Sequence, residues 1–338
     1  MKKILITGGS GFIGTNLVNY LNKGNYKIYN IDKISYASTP EKFKILKNKK
    51  NYFFFKVNLS DTKKFKKILT NINPDFIIHM AAESHVDRSI DDPFNFIKEN
   101  INSTIALYDS VLKLAKNGKI DLPKIIQIST DEVYGDVTTG TSSENSLYKP
   151  SSPYSSSKAS SDLIAKSFMY TYRFKLSILK ICNNFGPYQF TEKFIPTILN
   201  RIDKHKKIPI YGNGKHIREW IYVEDTCEAI ETVLQNFKNG IDYNVGSKIR
   251  LSNIKLVKKI ISIKKLKKPN LLIDHVLDRP GHDTRYAINS NKIKQILKWS
   301  PRHDLKNSLK KTIKWYSENH KWKIYVNKNY KERRLGKV

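Results

Sequence analysis

The chain has 338 residues, of which 39% are hydrophobic, 11% aromatic and 27% charged, enough to bury one large core or two smaller ones without staples. Its 61 Lys and Arg outweigh 30 Asp and Glu for a net charge of +31, but the lysines are scattered among Ile and Asn throughout, so no nucleic-acid-binding patch is expected. Cys182 and Cys227 support neither a disulfide framework nor a zinc site, no segment reaches the ~18 apolar residues of a membrane span, and a soluble protein of a reducing cytoplasm is expected.

In chain order, residues 3–7 read as a buried strand and not as a signal-peptide core, because Thr7 and the glycines after it cut the apolar run short. A helix is predicted over 14–22, strands over 27–31 and 52–57, a helix over 65–70 and a strand over 76–79. A long helix follows over 93–115, then a strand over 124–129, a helix over 156–172 and a strand over 176–181. The strands are short continuous apolar runs, the mark of a parallel sheet buried on both faces. The repeating β-α rhythm predicts an α/β fold with a doubly wound, Rossmann-type parallel sheet. After residue 182 the rhythm breaks at clusters of Gly, Pro and Asn. A dinucleotide-binding domain is therefore expected over 1–182, with the chain revisiting it around 218–246. A smaller C-terminal substrate-binding lobe is expected over 183–338.

Gly8-Gly9-Ser10-Gly11-Phe12-Ile13-Gly14 joins the first strand to the first helix. Glycines there let the backbone approach a pyrophosphate, which then sits at the positive end of the helix. Asp32 ends the second strand ~20 residues on, where a carboxylate accepts a ribose 2′-hydroxyl and repels a 2′-phosphate. NAD is thus expected over NADP, with Lys33 next door the one feature favouring NADP. Tyr154 and Lys158 stand four apart on an expected helix and share a face. An ammonium beside a phenol lowers its pKa, and a tyrosine so tuned acts as a base toward an alcohol. Ser129-Thr130-Asp131-Glu132-Val133-Tyr134-Gly135 follows the fifth strand, at the carboxyl edge where open α/β sheets bind ligands.

These three motifs together resemble the extended short-chain dehydrogenase/reductases that act on nucleotide sugars, and Thr130-Asp131-Glu132 resembles their dehydratase branch. Further similar strings run along the chain: 81–89, 183–190, 192–196, 211–215 with Arg218-Glu219-Trp220, Asp278-Arg279-Pro280-Gly281-His282-Asp283, and the terminal Glu332-Arg333-Arg334-Leu335-Gly336. The resemblance implies NAD-mediated oxidation of dTDP-glucose at C4, loss of water across C5 and C6, and return of the hydride to C6. It implies Tyr154 as base toward the 4-hydroxyl with Lys158 beside it and Thr130 bonded to the same oxygen. Glu132 is implied as base at C5 and Asp131 as acid at the departing 6-hydroxyl. Two adjacent carboxyls of opposite protonation state suit that division of labour.

The implied cofactor residues are Gly8, Gly11, Phe12, Ile13, Gly14, Asp32, Lys33, Asn58, Leu59, Ala81, Ala82 and Asn184, with Tyr154 and Lys158. Substrate contacts are implied for Ser84, Thr130, Asn183, Lys193, Phe194, Tyr211, Asn253 and His282, with Arg218 and Arg279 as guanidinium forks on the diphosphate. No residue is singled out as a metal ligand. A homodimer is implied through helices 93–115 and 156–172, the first carrying Ile101, Ile105 and Tyr108 at helical spacing.

Four positions depart from the family's usual residues: Asn58 for Asp, Glu99 for Thr, Phe185 for Tyr and Thr284 for Arg. Glu99 sets a carboxylate near the expected cofactor, and the sequence gives no physical account of it. Thr284 leaves UDP-glucose open as the substrate. An NDP-sugar 4-epimerase is the neighbouring alternative, opposed by Asp131-Glu132. A non-catalytic NAD- or RNA-binding protein is the alternative of another class, opposed by the intact Thr130, Asp131, Glu132, Tyr154 and Lys158.

Overall fold

Short apolar runs that have no polar face must be covered on both sides, and the chain does this by alternating strands with helices. The first half runs β1 (Lys2–Thr7), α1 (Phe12–Leu21), β2 (Tyr26–Asp32), β3 (Tyr52–Lys56), α2 (Thr62–Ile72), β4 (Phe76–His79), α3 (Val86–Asp91) and α4 (Pro93–Lys116). It continues with β5 (Lys124–Thr130), α5 (Pro153–Tyr172) and β6 (Lys175–Ile181). The structure is a computed structural model and describes residues 1–267, 269–328, 330 and 336. Residues 332–335 of the terminal string therefore lie outside the described residues.

The second half runs β7 (Asn183–Phe185), α6 (Phe194–Asp203), β8 (Ile208–Tyr211), β9 (Ile217–Tyr222), α7 (Val223–Gln235), β10 (Tyr243–Val245), β11 (Arg250–Ser252) and α8 (Asn253–Ile263). It ends with β12 (Ile273–Val276), α9 (Asn291–Leu297), α10 (Leu305–Glu318) and α11 (His320–Asn327). The main sheet has the order β10-β6-β5-β4-β1-β2-β3, all parallel. Its edge strand β10 comes from late in the chain and pairs Tyr243 with Leu179 and Val245 with Ile181.

Alternation along each strand feeds two cores. Ile4 and Ile6 pack with Leu17 and Val18 of α1 and Ile230 and Val233 of α7. Leu5, between them, packs on the opposite side with Phe65 and Leu69 of α2 and Leu107 and Val111 of α4. Each such side chain, fully buried, stabilises by about 2 kcal/mol. A third core lies in the later half, where Ile198, Ile210, Leu256, Leu309 and Trp322 meet. Around it, β9 pairs with β7 and β11, and β8 with β12.

Two expectations are corrected. Helix α5 begins at Pro153, not 156, so Tyr154 lies in its first turn. Ser152 and Ser155 form a reciprocal capping box and Pro153 takes the first helical position, where its missing N–H costs nothing. On α4, Tyr108 faces the chain's own core and donates to Gln127 Oε1 at 3.0 Å, whereas Ile105 is exposed.

Candidate active site

The carboxyl ends of β1, β2 and β4 open into one cavity, lined by Gly8, Gly11, Phe12, Ile13, Gly14, Asp32, Lys33, Asn58, Leu59, Ala81, Ala82, Tyr154 and Lys158. The glycine loop fits a dinucleotide for reasons visible in its contacts. Gly8 has φ +75°, and a Cβ there would stand 2.8 Å from the Ala81 backbone. A Cβ on Gly14 would come within 2.3 Å of the Gly8 carbonyl oxygen, so only glycine keeps α1 this close to the loop. At the other end, Asp32 accepts the Ser10 N–H at 3.0 Å and the Ile34 N–H at 2.7 Å. That fixes its carboxylate at the tip of β2, where a ribose would lie.

A second cavity is lined by Ser84, Glu132, Asn183, Lys193, Phe194, Tyr211, Arg218, Asn253, Arg279 and His282. Ser84 and Lys193 border both cavities, and Lys193 Nζ donates to the Ser84 carbonyl at 2.6 Å. The segment after β5 joins them. It passes from Ser129 on the first wall, through buried Thr130 and Asp131, to Glu132 on the second. The Thr130 Oγ1 accepts the Glu132 N–H at 3.3 Å and donates to Asp131 Oδ1 at 3.4 Å. The second carboxyl oxygen of Asp131 is buried with no partner among the described residues.

Electrostatics separate the two carboxyls. Burial, then the neighbouring Glu132 and Glu219, push Asp131 well above the usual carboxylate range. Burial also raises Glu132, but Arg279, Arg218 and Lys193 oppose that push. Both carboxyls are thus raised, Asp131 with its neighbours' charges adding to burial and Glu132 with three cations opposing it. Arg279 Nη1 meets Asp87 Oδ1 at 2.5 Å, and the Tyr211 hydroxyl donates to Asp87 Oδ2 at 2.7 Å. The Arg279 Nε is buried and has no partner among the described residues. Arg218 is anchored by the Asp283 carbonyl at 2.9 Å and lies 4.1 Å over the Tyr286 ring. Burial, then Arg279 and Arg218, bring His282 down to about 3, so its ring is neutral. It stacks on His216 at 3.7 Å, and Asp278 bridges both rings.

Two sequence expectations change here. The Lys158 ammonium is not hydrogen-bonded to the Tyr154 hydroxyl. Burial, then the charge of Glu132, push the Tyr154 phenol well up, with the Thr130 hydrogen bond opposing. Lys158 instead donates to the Ile128 carbonyl at 2.7 Å, and burial lowers its own pKa. Asn184 does not reach the cofactor cavity. Its amide donates to the Cys182 carbonyl and accepts from Thr226, tying β7 to α7.

Glu99 acquires a partner, since it lies 2.8 Å from Lys33 Nζ across the cofactor cavity. Sequence reasoning missed Asp87 as the counter-ion of Arg279. Nothing local signals a pair 192 residues apart. It also missed Tyr286 beneath Arg218, which the interrupted pattern after 276 does not mark.

A parallel sheet with a glycine loop under one cavity, a Tyr-x-x-x-Lys pair opening onto it and a second cavity beside it define an extended short-chain dehydrogenase/reductase. Residues 5–312 match the family described as GDP-mannose 4,6 dehydratase. The chain is 40% identical to a probable dTDP-glucose 4,6-dehydratase of Sinorhizobium fredii, over 99% of this chain and 98% of that one. A dTDP-glucose 4,6-dehydratase of Bacillus anthracis, solved in complex with NAD, superposes with TM-score 0.86 at 35% identity, covering 96% of this chain and 100% of that one. One from Streptomyces venezuelae, also with NAD bound, gives TM-score 0.89 at 32% identity, covering 96% and 99%. The chain belongs to the dTDP-glucose 4,6-dehydratase family.

Proposed function

We propose that this chain binds NAD in the first cavity and converts dTDP-glucose to its 4-keto-6-deoxy product in the second. The observation that carries this is the adjacent pair Asp131 and Glu132, set where the cavity lined by Tyr154 and Lys158 meets the cavity lined by Arg218 and Arg279. The chemistry NAD supplies when bound is reversible hydride transfer, out of C4 and later into C6. Tyr154 takes the proton of the 4-hydroxyl as phenolate, a form that the positive charge of NAD, when bound, would favour against the upward push of burial, while Thr130 hydrogen-bonds the same oxygen. A ketone at C4 acidifies the C5 proton, which Glu132 removes. Asp131 gives its proton to the 6-hydroxyl, which leaves as water. Glu132 returns a proton to C5 as C6 is reduced, and the proton left on Tyr154 is made good to Asp131 through solvent, so the enzyme is restored and atoms and electrons balance with no outside reductant.

Arg218 and Arg279 face the same cavity as Glu132 and suit a diphosphate, with the unpartnered Nε of Arg279 a free donor for one oxygen. Contacts from Ser84, Asn183, Lys193, Phe194, Tyr211, Asn253 and His282 complete this reading, and UDP-glucose is the substrate it would admit next. Exposed Phe94 and Ile105 on α4, with Leu163 and Tyr170 on the adjacent α5, suit pairing with a second copy as a homodimer. No helix among the described residues is long and apolar enough to cross a membrane, and both cysteines are free and buried, which suits a cytoplasmic setting.

The test is turnover of dTDP-glucose beside UDP-glucose, read as absorbance of the 4-keto-6-deoxy product in alkali. Product from dTDP-glucose, reduced about a hundredfold or more in Glu132→Gln, is the expected result. Product from UDP-glucose alone moves the substrate and keeps the mechanism. No product from either, with protein shown to hold NAD, overturns the dehydratase reading.

A further inference from the structure

The strand order β4-β1-β2 sets the glycine loop, which follows β1, between the residues that follow β2 and those that follow β4. Lys33 comes directly after β2, Glu83 lies in the segment after β4, and Glu99 sits on α4. The Lys33 ammonium is 2.8 Å from Glu99 and 3.3 Å from Glu83. All three residues line the cofactor cavity, so the ion pairs link the segment after β2 to residues that follow β4 in the chain. Asn100 holds Glu83 in place by receiving its N–H at 2.7 Å and donating to its carbonyl at 3.0 Å.

A 2′-phosphate differs from a 2′-hydroxyl by about two negative charges at neutral pH. Sites that accept it supply a cation close to the ribose-binding acid. Lys33, adjoining Asp32, stands in that place. Here its charge is already committed to two carboxylates, and its side chain is drawn toward β4. From this arrangement we infer that Glu83 and Glu99 are specificity-determining residues: they withhold Lys33 from a 2′-phosphate. Discrimination against NADP then belongs to a four-residue arrangement and not to Asp32 alone. This rests on the reading of the first cavity as the NAD site.

The experiment is calorimetric titration of the full-length protein with NAD and with NADP, without substrate. In Glu83→Gln/Glu99→Gln, NADP binding should tighten about tenfold, the size expected for releasing two part-exposed pairs, while NAD binding moves far less. Adding Lys33→Gln should abolish the gain. A gain that survives the loss of Lys33 overturns the inference, because plain removal of negative charge would then explain it. So does an unchanged NADP-to-NAD ratio. Failure of the wild-type protein to bind NAD overturns the cofactor reading itself and takes the inference with it, an outcome distinct from both.

Discussion

The two cavities are built by different rules. The floor of the cofactor cavity is made of residues at or just after the carboxyl ends of strands in one sheet: Gly8 to Gly14 after β1, Asp32 and Lys33 at the end of β2, Ala81 and Ala82 after β4. The substrate cavity is held by contacts between distant segments. Arg279 meets Asp87 across 192 residues, and Tyr211 meets Asp87 across 124. One cavity is dictated by backbone geometry and the other by a network of charges. The first should therefore fail by steric change and the second by electrostatic change, each without the other.

The sharpest way to break this contrast is Gly14→Val. Its Cβ would enter space already taken by the Gly8 carbonyl and the Gly9 backbone. NAD affinity should fall about a hundredfold, or about 3 kcal/mol, by calorimetry. Little loss of NAD affinity would mean that the loop yields and does not dictate. Next in size is Asp87→Asn, which leaves the Arg279 charge buried with a weaker partner. We expect a loss of about 3 kcal/mol in thermal or denaturant stability and a raised KM for dTDP-glucose, with NAD affinity unchanged. A matching loss of NAD binding would merge the two cavities into one cooperative unit.

The smallest effect is on the pH profile. Glu132 must be ionised to take a proton, and its pKa is raised from 4.5, so activity at saturating substrate should fall as pH drops through a point above the ordinary carboxylate value. Arg279 opposes that rise. Arg279→Met should therefore move the acid limb to still higher pH. A limb that stays put would assign it to another group.

The same contrast governs how much could be read from the sequence. The strands of the first half were legible because a doubly buried strand needs a continuous apolar run, and residues 76–79 match β4 end for end. The start of α5 was legible in principle, since Ser152 and Pro153 are a cap and a first-turn proline, yet the predicted helix began three residues late. Asp32 was legible from its spacing. The three-residue strands β7, β10 and β11 carry too little pattern to be seen alone, and their partners lie far along the chain. The substrate residues were reached through family resemblance, because no periodicity links Arg279 to Asp87. The Tyr-x-x-x-Lys spacing does not show that the Lys158 ammonium is bonded to the Ile128 carbonyl, because that partner lies on a strand 30 residues away.

Strand β10 has a consequence for how the chain is made. A ribosome that has released residues 1–181 has delivered six of the seven strands, but the edge of β6 still offers its unpaired N–H and C=O groups. That edge closes only when residues 243–245 emerge, several seconds later at ordinary synthesis rates. In that interval the nascent sheet can add a foreign strand. The stretch between β6 and β10 is thus the length of chain over which the sheet's growing edge is open during synthesis.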